Sequence, residues 1–167
     1  MGNPTTVSAN LERVSYSGPA GSIQLGQHRQ VIGEAVATRT LTPAESGSLC
    51  LLDRAAGVVY TLPAPVVGMY FDFLVTVAVT TNAYKVITNA ASVFMVGKVF
   101  MGDETIATSG DIFTADGTTI VALSADGATK GGLLGECYRL TAISTTKWAI
   151  EGVSHGAGTL ATPFATS

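Results

Sequence analysis

The stretch YFDFLVTVAV at residues 70–79 constrains the fold of this chain more than any other feature. Its odd-numbered positions are all apolar: Phe71, Phe73, Val75, Val77 and Val79. The even-numbered positions include the polar residues Asp72 and Thr76. Alternation with a period of two and one apolar face is typical of a half-buried β-strand. No stretch after residue 33 shows helical periodicity over twelve residues, so the sequence predicts strands and not helices.

Further runs have the length and composition of strands: SLCLLD, VVYTL, YKVIT, VFMVGKVF, TTIVALS, ECYRLTAI and TKWAIEG. Turn signals separate them at fairly regular intervals. We therefore predict eight to ten short strands and an all-β fold. The architecture expected from this pattern is a β-sandwich with jelly-roll-like wiring and an extended N-terminal arm.

A short capped turn is predicted before the first of these strands. Thr42 is a good N-cap, Pro43 suits the first helical position, and Glu45 completes a T-x-x-E capping box. Gly47 can adopt the left-handed conformation that ends such a turn. Later in the same segment, Pro63 stops a strand because proline cannot donate a hydrogen bond to a β-ladder.

Three glycine-containing turns are predicted to reverse the chain. RAAG at residues 54–57 is expected to join two adjacent strands. TADGTT at residues 114–119 and SADGAT at residues 124–129 are similar to one another, and each contains an Asp-Gly pair. Because Asp-Gly favours tight hairpin turns, the repeat predicts consecutive hairpins and not a solenoid.

The sequence predicts three segments. Residues 1–33 form an extended N-terminal arm, residues 34–152 the β-sandwich, and residues 153–167 a C-terminal extension. The arm has too little periodic apolar sequence to fold alone, yet it carries fewer charges than a solvated disordered tail, which is the alternative. We predict that spaced apolar residues of the two extensions contact a partner: Leu11, Val14, Tyr16, Ile23, Leu25 and Phe164.

Charged residues make up only 13% of the chain, against about 25% in a typical soluble domain. The mean hydropathy is +0.39. A surface with so little charge predicts contact with other protein, including further copies of the chain.

Charge and hydropathy also argue against two kinds of partner. The net charge is −3 and the nine Lys and Arg residues are scattered, so no basic stripe for nucleic acid is predicted. Asp72, Lys85 or Gly97 interrupts the apolar stretches well before the ~20 residues that a membrane helix needs. The first residues lack the pattern of a secretory signal.

No catalytic site is predicted. The two histidines, His28 and His155, lie on the predicted extensions, and the chain has no G-x-S-x-G motif. We predict that the protein is not an enzyme and has no cofactor. A pair of carboxylates acting as a glycosidase remains an alternative.

A metal site is not predicted either. Five acids lie between residues 99 and 129: Asp103, Glu104, Asp111, Asp116 and Asp126. The regular spacing of a calcium loop is missing, and two of these acids are explained as turn residues. Calcium binding stays an alternative to a solvated or partner-facing acidic edge.

Four further residues have more than one interpretation. Cys50 and Cys137 lie in strand-like runs and are predicted to be buried free thiols, with a disulfide as the alternative. Tyr138 and Trp148 are predicted to be core or interface residues, with stacking on a sugar or base as the alternative.

The run LTPAESGSLCLLDRAAGVVYTLPAPVVGMYFDFLVT at residues 41–76 resembles a segment of tailed-bacteriophage virion proteins. The resemblance is to head decoration (cement) proteins and to some fibre-associated β-domains, and NAYKVIT at residues 82–88 is similar too. It covers about a third of the chain. The shared positions are Leu41, Thr42, Ser46, Gly47, Asp53, Thr61, Leu62, Pro63, Pro65, Gly68, Phe71 and Phe73.

The resemblance implies a structural virion protein that binds the major capsid protein on the outer surface of the head and stabilises the capsid lattice. It implies a homo-oligomer, with a trimer favoured, and an N-terminal arm that reaches a neighbouring capsomer. The expected location is the virion, and the host cytoplasm during assembly. The alternative is a tail- or fibre-associated β-domain that binds glycans of the host surface.

Overall fold

The computed structural model describes residues 14–18, 21–25, 29–33, 36–105 and 109–167. The chain divides into two compact units, Met1–Gln30 and Val31–Ser167. In the first unit, β1 (Val14–Gly18) and β2 (Gly21–Leu25) form an antiparallel two-stranded ribbon.

The second unit consists of two β-sheets. In the described part of this unit the strands are β3 (Val31–Ile32), β4 (Thr38–Thr40), β5 (Leu49–Leu52), β6 (Val59–Thr61), β7 (Tyr70–Val75), β8 (Tyr84–Ile87), β9 (Phe94–Asp103), β10 (Gly110–Asp116), β11 (Ala122–Ala125), β12 (Cys137–Ser144), β13 (Lys147–Gly156) and β14 (Phe164–Ala165). The seven-stranded sheet has the order β10-β9-β13-β12-β7-β5-β3, and the five-stranded sheet has the order β14-β11-β8-β6-β4. The predicted all-β sandwich is thereby confirmed.

From β3 to β8 the chain changes sheet after every strand. β3, β5 and β7 are parallel neighbours in the seven-stranded sheet. β4, β6 and β8 are parallel neighbours in the five-stranded sheet. This part of the chain therefore winds through three successive turns, and each turn contributes one strand to each sheet.

This wiring differs from our expectation in two respects. A jelly roll pairs its strands antiparallel, whereas five ladders of the two sheets are parallel. The predicted hairpins around residues 54–57, 114–119 and 124–129 are wrong, because each of these turns leads from one sheet to the other. A turn that reverses the chain direction can join two strands of one sheet or connect one sheet to the other. Pairing between strands that are distant in the sequence decides which connection forms.

The core lies between the two sheets. The Tyr60 ring of the five-stranded sheet meets the Phe73 ring of the seven-stranded sheet edge to face, with 5.6 Å between their centroids. The Tyr60 hydroxyl donates a hydrogen bond to the Leu51 carbonyl at 3.0 Å. Phe71 and Trp148 are fully buried beside them. The predicted inward face of the strand at residues 70–75 is confirmed.

The capped turn is also confirmed. Residues Pro43–Glu45 form a single 3₁₀ turn, and the Thr42 N–H donates to the Glu45 carboxylate at 2.7 Å. Gly47 has a φ of +90°. Burial raises the pKa of Glu45, but hydrogen bonds from Thr42 and from the Arg39 guanidinium outweigh burial, so its pKa is lowered. In the described residues, no helix is long and apolar enough to cross a membrane.

The aspartates of the two Asp-Gly turns accept hydrogen bonds from the residues that follow them. Asp116 accepts hydrogen bonds from the Thr118 and Thr119 backbones at 2.8 Å, and Asp126 accepts one from the Lys130 N–H at 2.8 Å. The glycines that follow the two aspartates both have positive φ. Hydrogen bonds from the Thr119 hydroxyl and the adjacent backbone lower the pKa of Asp116.

Both ends of the sandwich differ from the predicted boundaries. Ile32, which we placed in the arm, lies in β3 and is buried in the core. Residues 153–167 do not form a C-terminal extension. β13 continues to Gly156 and pairs with β9 over its whole length, and Phe164 in β14 pairs with Leu123.

Candidate interaction surface

One row of apolar side chains crosses the outward face of the seven-stranded sheet. Direct cross-strand pairing links each member to the next. In order from β10 to β5, this apolar row consists of Ile112, Phe100, Val153, Cys137, Leu74 and Leu51.

Most of the apolar row is open to solvent. Ile112, Phe100 and Val153 are 62%, 50% and 57% exposed, and Cys137 is exposed as a free thiol. Successive residues of a strand point to opposite faces, so burial of Val99 and Ser154 in the interior forces Phe100 and Val153 outward. A continuous exposed apolar patch on a soluble protein marks a site of interaction.

A row of alternating charges runs beside the apolar row, two residues further along each strand. From β9 to β7 this charged row consists of Lys98, Glu151, Arg139 and Asp72, paired directly across the ladders. Arg139 binds Asp72 through two hydrogen bonds, of 2.6 and 2.8 Å. The Asp72 hydrogen bonds and charge raise the pKa of Arg139, and its guanidinium lies 5.4 Å from the Tyr70 ring centroid.

The outward face of the five-stranded sheet has a different composition. One row there, paired directly across its five strands, consists of Thr40, Thr61, Ile87, Ala122 and Ala165. Small and hydroxyl-bearing side chains predominate in this row. Of the two sheets, the seven-stranded sheet carries the large exposed apolar side chains that lie on strands, namely Val31, Phe100, Ile112, Ile143 and Val153.

A buried polar cluster lies at one end of this sheet, around Glu136. Its carboxylate accepts hydrogen bonds from the Gly132 N–H at 2.7 Å, the Tyr138 hydroxyl at 2.7 Å and the His155 N–H at 3.1 Å. The Tyr138 hydroxyl also lies 3.1 Å from the Ser154 hydroxyl. Burial, followed by the Glu136 charge, raises the pKa of Tyr138 well above its usual value.

His155 lies between two carboxylates at the edge of this cluster. Its Nε2 is 3.2 Å from Glu104 and its Nδ1 is 3.6 Å from Glu136. We expected His155 on a C-terminal extension, whereas it is a residue of β13. Hydrogen bonds hold the cluster together internally, which gives it a stabilising role in joining β12, β13 and the loop before β12.

The acidic residues of the loops do not converge. Asp116 and Asp126 are engaged by their own turns, and Asp103 accepts a hydrogen bond from the Thr105 N–H at 2.8 Å. Among the residues that the structure describes, no group of three or more His, Cys, Asp or Glu side chains has the arrangement of a metal site.

The predicted partner-contact residues fall into three groups. Leu11 lies outside the described residues. Val14, Tyr16, Ile23 and Leu25 lie on β1 and β2, where the ladder pairs Val14 with Leu25 and Tyr16 with Ile23.

The third group is Phe164 alone, and for this residue the prediction is wrong. It is only 7% exposed and belongs to the core of its own chain. The apolar C-terminal sequence around it supplies a strand and not a free extension.

The remaining alternatives are resolved in part. Cys50 is buried as predicted, but Cys137 is exposed, and the two do not form a disulfide. Tyr138 and Trp148 are buried in the core, so neither offers a surface for stacking on a sugar.

We did not predict either row of the outward face. Period-2 alternation in ECYRLTAI does place Cys137 and Arg139 on one side of a strand. Each strand contributes only one residue to a row, however, and register depends on pairing between distant strands.

A scan against protein-family models finds no match for this chain, and a search of curated proteins finds none either.

Proposed function

We propose that this protein is a structural virion component, a decoration (cement) protein that oligomerises on the outer surface of a tailed-phage head and stabilises the capsid lattice. Its main partner would be the major capsid protein. A homotrimer is the assembly that the resemblance at residues 41–76 favours. The role is mechanical and not enzymatic.

The observation that carries this proposal is the exposed apolar row on the seven-stranded sheet, in a chain with 13% charged residues. Burying such side chains against protein contributes about 25 cal/mol per Å² of apolar surface. Many copies held on one lattice act with a high effective concentration, so modest contacts of each copy together reinforce the shell. The N-terminal unit, Met1–Gln30, would add a contact to a neighbouring capsomer.

The test uses the phage that encodes this chain. Heads assembled without the protein are mixed with the purified protein, bound copies are counted by quantitative mass spectrometry, and head integrity is followed on heating. We expect on the order of hundreds of copies per head and release of DNA at a higher temperature. Failure of the purified protein to bind these heads would refute the proposal.

Salt dependence examines the apolar character of the contact. Because screening acts on ionic contacts and not on buried apolar area, occupancy should change little between low ionic strength and about 1 M NaCl. Protein that washes off at high salt would contradict an apolar attachment.

Copy number separates the proposal from the alternative, a tail- or fibre-associated domain that binds host glycans. A tail component would be present in a handful of copies per particle. Glycan binding would also need an exposed aromatic platform; Trp148 is buried, which leaves Phe100 as the exposed aromatic side chain among the described residues.

A further inference from the structure

The apolar and charged rows of the outward face share one centre. The six members of the apolar row come from β10, β9, β13, β12, β7 and β5, so its midpoint lies between β13 and β12. The four members of the charged row come from β9, β13, β12 and β7, and its midpoint lies between the same two strands.

A two-fold axis through this centre would make the face complementary to itself. The axis runs parallel to the strands and lies midway between the two stacked faces. Rotation by half a turn about this axis reverses the order of the strands, so each row of one copy lies opposite the same row of the other copy. From β9 to β7 the charges of this row alternate as positive, negative, positive, negative. When the order is reversed in the second copy, each positive charge lies opposite a negative one. Lys98 would then face the second copy's Asp72, and Glu151 the second copy's Arg139.

The same rotation matches the apolar row. Val153 would face the second copy's Cys137, and Phe100 the second copy's Leu74. Ile112 at one end would meet Leu51 at the other. No charge would be buried against an apolar side chain in either row.

We propose that the outward face of the seven-stranded sheet is an isologous interface, in which two copies of this chain pack face to face about a two-fold axis between β12 and β13. An isologous contact requires one self-complementary patch, and two independent rows meet that condition about a single axis. This proposal concerns the purified chain and does not depend on binding to phage heads; a copy that buries this face against a second copy cannot bury it against capsid protein at the same time.

The face is large enough for a stable contact. Five strand spacings separate β10 from β5, and these six strands are between four and ten residues long. At about 4.8 Å per spacing and about 3.3 Å per residue, the area is roughly 600 Å² per copy, which corresponds to the lower end of the standard interface size. Sheets that pack face to face cross at about 30°, so the pairs beside the axis make the closest contacts.

A two-fold contact differs from the three-fold contact of a trimer. If the chain also forms trimers through another surface, the face described here would join one trimer to the next. The molar mass in solution alone therefore does not identify this interface. The decisive measurement is whether substitutions on this face lower that mass.

A charge exchange examines the charged row. K98E puts like charges opposite each other in a pair of identical copies, and D72K does the same with the opposite sign. An equal mixture of the two variants restores both opposite-charge pairs. We expect each variant alone to have a lower mass than wild type by light scattering, and the mixture to return to the wild-type mass.

F100K examines the apolar row, and V67K is its matched control. Val67 is 66% exposed but lies in the loop between β6 and β7, outside the rows. We expect F100K to raise the dissociation constant of self-association at least about tenfold and V67K to leave it unchanged. Circular dichroism and a cooperative thermal transition verify that every variant is folded.

Cys137 provides a measurement that does not depend on mass. It lies beside the proposed axis. With stacked sheets ~10 Å apart, its Cα atom would be about 11 Å from the Cα atom of the second copy's Cys137. A short bismaleimide should link two wild-type chains and should fail with C137S, because Cys50 is buried.

Three results would overturn the proposal. One is wild-type protein that remains at 17.1 kDa up to about 100 μM, where a specific interface of standard size should associate. Another is a mass that F100K leaves unchanged. The third is a mixture of K98E and D72K that associates no better than either variant alone.

Discussion

The Tyr138 hydroxyl donates a 2.7 Å hydrogen bond to the carboxylate of Glu136, and both residues are buried. Tyr138 lies at the start of β12 and Glu136 in the loop just before it, and Ser154 and His155 bring β13 into the same cluster. Glu136 is therefore a shared acceptor that joins two strands and a loop.

Removal of this acceptor should destabilise the sandwich strongly. E136A leaves the donors of Gly132, Tyr138 and His155 without their partner, and each buried unsatisfied group costs about 1–3 kcal/mol. We expect the free energy of unfolding to fall by about 3 kcal/mol, measured by urea denaturation. D111A, which removes an exposed carboxylate from β10, is the control and should change it by less than about 0.5 kcal/mol. Equal effects of the two substitutions would contradict a structural role for Glu136.

Buried tyrosines should make stability fall at alkaline pH. Burial raises the pKa values of Tyr60, Tyr84 and Tyr138, whereas tyrosine in an unfolded chain ionises near pH 10. Above about pH 10 the unfolded state therefore binds fewer protons than the folded state, and the free energy of unfolding decreases as pH rises. Below about pH 9 these groups are protonated in both states and should contribute no pH dependence.

The measurement is the urea midpoint at several pH values from 8 to 11. Each such tyrosine contributes a slope of at most about 1.4 kcal/mol per pH unit. Y138F should be less stable at neutral pH, because Glu136 loses a donor, but should show a shallower alkaline decline. A decline in Y138F as steep as in wild type would rule out Tyr138 as a contributor.

Gly97 and Gly102 in β9 should respond differently to alanine. Gly97 has a φ of +137°, and a Cβ there would lie 2.0 Å from the Ile150 carbonyl oxygen of the adjacent strand. A Cβ at Gly102 would meet no atom within 4 Å. We expect G97A to lower the free energy of unfolding by about 3 kcal/mol or more and G102A by less than about 0.5 kcal/mol. Wild-type urea midpoints for both would contradict this account of the β9–β13 ladder.

Two truncations should locate the start of the folded body. Deletion of residues 2–30 removes the N-terminal unit and leaves β3 in place. Deletion of residues 2–33 also removes Ile32, whose side chain is in the core and whose carbonyl oxygen lies 3.3 Å from the Tyr60 hydroxyl. The longer deletion should be less stable by about 2–4 kcal/mol in urea unfolding. Identical midpoints would show that β3 contributes nothing.

The features that sequence predicted well depend on neighbouring residues. The inward face of β7 follows from the alternation of Phe71 and Phe73 with polar residues, and the capped turn follows from Thr42 and Glu45 three positions apart. Such patterns are complete within one short segment, so one sequence is enough to identify them.

The features that sequence missed depend on distant pairing. The turn containing Gly57 is clear in the sequence, but the following strand joins the other sheet because β6 pairs with β4 and β8. β10 was not predicted, since this edge strand alternates only weakly. Phe100 and Val153 are 53 positions apart and become neighbours only through the parallel register of β9 and β13.

The crossing of the chain between sheets after each strand from β3 to β8 has a consequence for how this protein folds. Neither sheet can extend by adding the next strand along the chain, so no single-sheet hairpin is available as an early nucleus in that half. The two layers have to grow together through contacts of high sequence separation, which places the domain among the slow, high-contact-order folders. Until both sheets are complete, the unpaired strand edges of this half remain open to pairing with other chains, so partly folded molecules are the form of this protein most exposed to aggregation.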